Sequence, residues 1–575
     1  MQPISRRLFL VGSVSVVVVS CSSDDSASDS VVDPTTSAAP DTTAAPATSD
    51  TTPATESSAA ETVPETDATT DATTVPETDP PTTTVVETVP ETDPPQQWDT
   101  DPFTLGVASG DPATGSVILW TRLALDPLAG GGMPAEEVQV TWEMSRAEDF
   151  DEVEHEGVEV ATADYAHSVH ARAEMEDGDW YYRFSAGGWT SPVGVTRAAP
   201  AVGTAVGTVR FASASCQNYQ AGYYVCHRDL AEQKPDFTVF LGDYIYEGGA
   251  SEIGVDENVR THGTPEIRTL EDYRNRYALY KSDPDLQAAH AACPWFVTWD
   301  DHEVENNYAG VAPQDLAEAA TFLERRQMAY QAWWEHQPVA LEPPQANGEY
   351  TIYRASTWGD LVGLSVLDSR QYRSDQACGD VTLRTDPPCP ETFEPGRSMI
   401  GDVQETWLFD QLAAQQTVWH TIAQQVVFGD TTLNGAVLNY DQWDGYPEQR
   451  NRIVQKLGEN AVPNVVVLTG DIHFAGTGTI RSGDRAMGPA VGVEFVATSI
   501  SSGGNIDPAL TEVIRGFPFV LDAELEHRGY ILHTVTPDTW LAEYRMAETV
   551  KQPESPMFVH ATYRIGVGTN TVDFA

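Results

Sequence analysis

Cys216, Asp243, Asp300-Asp301-His302 and the pair Asp471 and His473 together offer a soft thiolate, hard carboxylates and imidazoles, a set suited to a mixed group of cations. Each stands just after a short apolar run: residues 211–215 before Cys216, 237–241 before Gly242-Asp243, 295–299 before Asp300, and 465–469 before Gly470-Asp471. Such runs, β-branched or aromatic and broken abruptly by Gly or an acid, are expected as buried strands of an α/β sheet. Ligands of these sheets collect at the carboxyl ends of the strands. Four such strand ends predict one polynuclear metal site, and with it a metal-dependent hydrolase.

Each motif also has a plainer reading. Asp243 and Tyr246 are three apart and reach one cation if a turn begins there, and a phenolate strongly favours Fe(III). Equally, Asp243 could cap a following helix while Tyr246 packs. Asp471 and His473, two apart in extended backbone, project to the same side; alone, His473 could be a core histidine bonded to a carbonyl. Asp300 and Asp301 repel, which raises the pKa of one unless a cation compensates. His302 beside them could protonate a leaving oxygen. Asn306 and Asn307 could give an amide oxygen to a hard ion or an N–H to a phosphate. A helix start rich in capping acids explains one acid here, not the string. Cys216 is a small hydrophobe taken alone, and a metal-stabilised thiolate if it faces the other groups. Arg370 and Arg373 could add to a phosphate site or form a structural ion pair at a strand end.

The elements that must position these groups begin near Trp98. Residues 98–200 carry short alternating segments with Gly, Pro and Asp-Gly breaks, which predict an all-β immunoglobulin- or fibronectin-like sandwich without a catalytic cluster. From 205 to 575 oily strands alternate with helix-period stretches at 270–292, 315–334 and 403–414, the pattern of a layered α/β domain. Alternating runs at 495–498, 529–534 and 561–565 suggest an additional sheet.

Residues 1–21 read as an export signal. Arg6-Arg7 before an apolar stretch resembles a twin-arginine signal, and Val18-Val19-Ser20-Cys21 resembles a lipobox that would lipidate Cys21; ordinary cleavage is the alternative. Residues 22–97 contain no Lys, Arg or aromatic residue and repeat Val-Pro-Glu-Thr-Asp from Val63, Val75 and Val89. This composition cannot bury a core and predicts a disordered spacer. It holds 16 of the 86 acidic residues, so the net charge of -54 belongs mainly to the folded part. Such a surface excludes nonspecific nucleic-acid binding. Cys378 and Cys389 flank a polar loop and are a disulfide candidate after export. Cys226 and Cys293 could form a second pair, but the plainer reading is two small buried thiols.

Taken together, Ser213-Ala214-Ser215-Cys216-Gln217, Leu241-Gly242-Asp243-Tyr244-Ile245-Tyr246-Glu247, the run from Trp299 to Asn307, and Thr469-Gly470-Asp471-Ile472-His473 resemble the PhoD-type alkaline phosphatases. The runs 103–112, 367–373 and 441–447 match as well. The resemblance implies a calcineurin-like metallophosphatase sandwich (two β-sheets flanked by helices) behind the N-terminal sandwich. It implies hydrolysis of phosphodiesters and phosphomonoesters with one Fe(3+) and two Ca(2+). Cys216, Asp243 and Tyr246 would hold iron, with Asp243 bridging to calcium, and Asp300, Asp301, Asp471 and His473 would stand at the same cluster. Asp301-His302 occupies the place of an Asn-His pair in wider metallophosphatases, so the ligand set departs there. His302 is the expected acid, and a cation-activated hydroxide the expected nucleophile. Relatives can carry a C-terminal lid helix, whereas this chain reads as ending in strands, which predicts a more open site. The expected protein is an exported monomer, tied to a membrane only through its lipid anchor. The alternatives are a phospholipase D-like hydrolase of membrane lipids and a non-catalytic surface binding protein.

Overall fold

The computed structural model describes residues 97–250, 258–345, 348–379, 386–459 and 462–575. The candidate signal with Cys21, and all of the 22–97 spacer except its last residue, lie outside the described residues.

Three of the oily runs form the adjacent parallel strands Val209–Ala214, Phe237–Phe240 and Trp295–Val297 of a 10-stranded sheet. The fourth, Val465–Thr469, lies in a 7-stranded sheet between Trp419–Ala423 and Ala490–Val496, parallel to both. The period of two explains the stacking. Val209 and Phe211 face the second sheet, with Val239, Phe296, Val466, Leu468 and Phe495 in the same core. Ala212 and Ala214 face the other way, into a core shared with the helices Val225–Gln233, Leu270–Lys281, Pro284–Ala292 and Phe322–His336. Gly401–Ala414 and Pro447–Glu459 close the outer face of the second sheet over Leu408, Ile453 and Val467. Among the described residues no helix is long and apolar enough to cross a membrane.

The stretch expected as one helix over 270–292 is two. Pro284 has no N–H to continue the ladder, and Asp283 accepts from the N–H groups of Asp285 and Leu286 to start a new helix. The 315–334 stretch begins as an isolated 3₁₀ turn, Leu316–Glu318, and becomes α-helical only from Phe322. The additional sheet expected near the C-terminus does not form. Arg528–Val535 pairs antiparallel with Val209–Ala214 instead, and Thr539–Ala547 and Met557–Gly566 follow outward. Their apolar faces (Ile531, Tyr544, Ile565) complete the core between the two large sheets, which a separate sheet would leave uncovered.

In the N-terminal part, Val138–Ser145, Trp180–Ala186 and their neighbours form a 5-stranded sheet. A core including Val117, Leu119, Trp142, Trp180 and Phe184 separates it from Val107–Ala113, Ser116–Arg122 and Ser168–Glu174. That second layer is not free-standing. Gly110 bridges to Trp295, so the layer continues the large sheet.

Candidate metal centre

The chain turns sharply after three of the four ligand-bearing strands. Cys216, Asp243, Asp471 and His473 have φ of 61°, 55°, 61° and 60°, in the left-handed region that side chains other than glycine rarely adopt. Each such residue costs on the order of 1 kcal/mol, a strain that persists where packing over-determines it, as it does at functional sites. Gly242 must be glycine: its φ is 104°, and a Cβ would meet the Asp300 backbone nitrogen at 2.6 Å. Gly470 is constrained by space alone, since a Cβ there would lie 2.5 Å from Ser215 Oγ.

These turns bring the distant motifs together. Ligand atoms of Cys216, Asp243 and His473 lie within 4.8 Å of one another, as do those of Asp243, Asp301 and His302, and those of Asp300, Asp301 and Asp471. Tyr246 joins the first group, its hydroxyl 2.9 Å from both Asp243 Oδ2 and His473 Nε2. The extended geometry expected for Asp471 and His473 is corrected. The Ile472 N–H donates to the Gly470 carbonyl, and the tight turn sends Asp471 to the aspartates and His473 to Cys216.

The electrostatics describe a cluster short of positive charge. Burial, then like charge from Asp301, Asp300 and Glu303, pushes the Asp243 carboxyl well up, although His302 opposes this. Burial and neighbouring carboxylates likewise raise Asp300 and Asp471, against the pull of Arg370. Burial, with Asp243 beside it, raises the Cys216 thiol. Asp301 goes the other way: burial pushes it up, but Arg370 and His302 outweigh this and hold it below the usual range. A bound cation inverts such shifts and keeps the ligands ionised. Two buried oxygens, Asp243 Oδ1 and Asp300 Oδ2, have no hydrogen-bond partner among the described residues. That is what ligand atoms turned toward a cation leave behind.

The supporting shell was largely not assigned from sequence. Glu303 accepts from the N–H groups of Asp243 at 3.1 Å, Tyr244 at 2.6 Å and Asp300 at 2.8 Å, tying two ligand loops to one carboxylate. Glu247 Oε2 meets His302 Nδ1, and its other oxygen accepts from the Asn306 N–H. His473 Nδ1 lies 2.7 Å from the Gly503 carbonyl, which leaves Nε2 for the cluster. Ser502 Oγ is 2.9 Å from the Tyr246 hydroxyl, and Gln442 Nε2 donates to Asp471 Oδ2 at 2.6 Å. Glu247, Glu303 and Gln442 lie inside quoted motifs but gave no positional signal. Ser502 had only the Gly503-Gly504 break after it.

Arg370 is fully buried and does not line the cleft over the cluster. Its Nε donates to Asp300 Oδ1, and its two Nη atoms fork onto Asp441 at 2.8 and 2.9 Å. Arg373 is also buried and donates to Asp441 at 2.6 Å. Both guanidinium groups therefore brace carboxylates from beneath. Asp301, His302, Asp471 and His473 line the cleft with Asn306, Asn307, Asn439 and Asn505. The Asn306 amide donates to Gln314, while the Asn307 N–H holds Asp301 Oδ2 at 2.7 Å. Away from the cleft, Cys378 and Cys389 are disulfide-bonded, and Cys226 and Cys293 are free and buried.

The family model described as PhoD-like phosphatase matches residues 211–544, and the one described as PhoD-like phosphatase, N-terminal domain, matches 88–200. The chain is 44% identical over 472 residues to alkaline phosphatase D of Bacillus subtilis (strain 168), covering 80% of each chain. It superposes on a solved structure titled "Structure of PhoD" with a TM-score of 0.80 and 42% identity, covering 83% of this chain and 93% of that one.

Proposed function

The chain belongs to the PhoD-like phosphatase family of phosphoric ester hydrolases, and from this premise we propose that it is an exported phosphodiesterase and phosphomonoesterase working with Fe(3+) and Ca(2+). The observation that carries the reading is the convergence of Cys216, Asp243, Tyr246 and His473, together with a buried second oxygen of Asp243 that has no hydrogen-bond partner among the described residues. Thiolate, phenolate, carboxylate and imidazole fit a ferric ion, and the oxygens of Asp243, Asp300, Asp301 and Asp471 fit hard calcium. When bound, the cations supply Lewis acidity toward the phosphoryl oxygens and a lowered pKa for water.

The chain's own groups do the rest. His302 faces the cleft and gives its proton to the leaving oxygen, with Glu247 fixing its ring. Asn307, at the cleft wall, orients a phosphate oxygen. Arg370 and Asp441 keep the aspartates in place from below. The N-terminal layers, read as an immunoglobulin-like sandwich, serve as a structural wall. Export rests on Arg6-Arg7, and a lipid anchor on Cys21.

Elemental analysis of native protein together with its visible spectrum tests the cluster. Iron and calcium with a charge-transfer band are expected, whereas colourless zinc protein would overturn the ferric assignment. Turnover of bis-p-nitrophenyl phosphate and p-nitrophenyl phosphate by the same sample tests the activity.

A further inference from the structure

A second cleft, of about 450 Å³, opens on the outer face of the second sheet and shares no lining residue with the cleft over the cluster. It lies between the helix Pro447–Glu459, the hairpin joining Ala475–Arg481 to Ala490–Val496, and the segment 428–430. Register separates it from the metal centre. Val496 sits beside Thr469 at the ligand end of the sheet, whereas Arg481 pairs with Ala490, six residues back along the strand and about 20 Å away.

Its charge runs against that of the molecule. The chain has 32 Lys and Arg against 86 Asp and Glu, yet this cleft is lined by Arg450, Arg481 and Arg485 against the single carboxylate of Asp430. Arg450 is spent on Asp444 and Asp430. The other two guanidinium groups keep donors in reserve. Arg481 bonds only through Nη1, to the Gly488 carbonyl, and has no carboxylate partner among the described residues. Among the described residues Arg485 uses only Nη1, on Asp430 and Thr432, and its side chain is 33% exposed. Free N–H edges of two guanidinium groups lining one cleft match the oxygens of a phosphoryl group.

We propose that this cleft is a non-catalytic binding site for a phosphoryl anion, held by Arg481 and Arg485. It is coupled to the centre through Arg450, which pairs with Asp444 in the same short loop as Asp441 and Gln442. The ligand is either free phosphate or one phosphoryl group of a chain carrying several.

Calorimetric titration of the full chain with inorganic phosphate, and separately with a short linear polyphosphate, tests the site in wild type and in Arg481→Gln/Arg485→Gln. Loss of one phosphate equivalent per chain in the double variant, with turnover of bis-p-nitrophenyl phosphate in phosphate-free buffer within two-fold of wild type, assigns free phosphate. A ten-fold or greater loss of polyphosphate affinity alone assigns a multi-phosphoryl ligand. Unchanged titrations with both probes overturn the proposal. Should the double variant fail to fold, Arg481→Gln alone carries the same comparison, because Arg481 makes no ion pair among the described residues whose loss could unsettle the fold. Failure of the phosphatase reading shows as absent turnover and leaves the one-equivalent difference between wild type and variant intact, so the two can fail separately.

Discussion

Nδ1 of His302 lies 2.6 Å from Oε2 of Glu247, with the two side chains only 10% and 8% exposed. Burial pushes the Glu247 carboxyl up, but His302 and Arg325 outweigh it and hold the group below its usual range. Glu247 is thus an ionised partner that orients the imidazole, and the Tyr246 ring packs against the same imidazole with centroids 4.1 Å apart. His302→Ala should lower kcat by about 10²–10⁴-fold. Glu247→Gln, which acts through His302, should cost about 10–100-fold. Both losses should be larger for alkyl than for p-nitrophenyl leaving groups, since only the former need a proton. Equal losses across leaving groups would remove His302 from the acid role.

Cys216 supplies the only thiol in the cluster among the described residues. Cys216→Ser keeps size but removes the soft ligand, so iron content should fall and the visible band should shift or vanish. Changes to groups that only orient a ligand already cost about 10–100-fold in affinity or activity, so a direct ligand should cost more than about 100-fold in kcat/KM. Metal analysis and absorption spectra of the variant check this. A full iron complement with an unchanged spectrum would contradict it.

Arg370 is enclosed by Asp300, Asp301, Asp441 and Asp471. Removing one partner of a buried charge set strands the others, at a cost of about 3–5 kcal/mol. Arg370→Met should therefore unfold at lower urea concentration, with the deficit greater after chelation than in metal-loaded protein. If Arg370 instead acted mainly on substrate, KM would rise while the urea midpoint stayed put.

Lys281 is buried without a carboxylate partner among the described residues, its Nζ 4.2 Å from the Trp120 ring centroid and 3.5 Å from His290 Nε2. Burial holds its pKa well below the ordinary 10.5. The folded protein then binds fewer protons than the unfolded chain, so stability rises with pH between the depressed folded value and 10.5. The slope there approaches about 1.4 kcal/mol per pH unit. Lys281→Met should remove this slope, which thermal melts at pH 7 and pH 9 would read directly. Parallel curves for variant and wild type would show the ammonium to be charged in the fold.

The sequence by itself determined the ligand types and the strands that carry them. Oily runs ending on Cys216, Asp243, Asp300 and Asp471 can bury only one way, and the side chain after each run must emerge at a sheet edge. It also placed glycines where the chain passes close to a neighbour, since Gly242 and Gly470 allow the approaches to Asp300 and Ser215. The tertiary structure alone decided which groups share a cation, because Asp471 and His473 part at a turn that no alternation pattern encodes. It likewise decided that Arg370 faces inward, and that Arg528–Val535 extends the first sheet rather than founding another. Those outcomes depend on packing between segments hundreds of residues apart, such as His473 against Tyr246 and Ser502 against Cys216. Local periodicity holds no information about such partners.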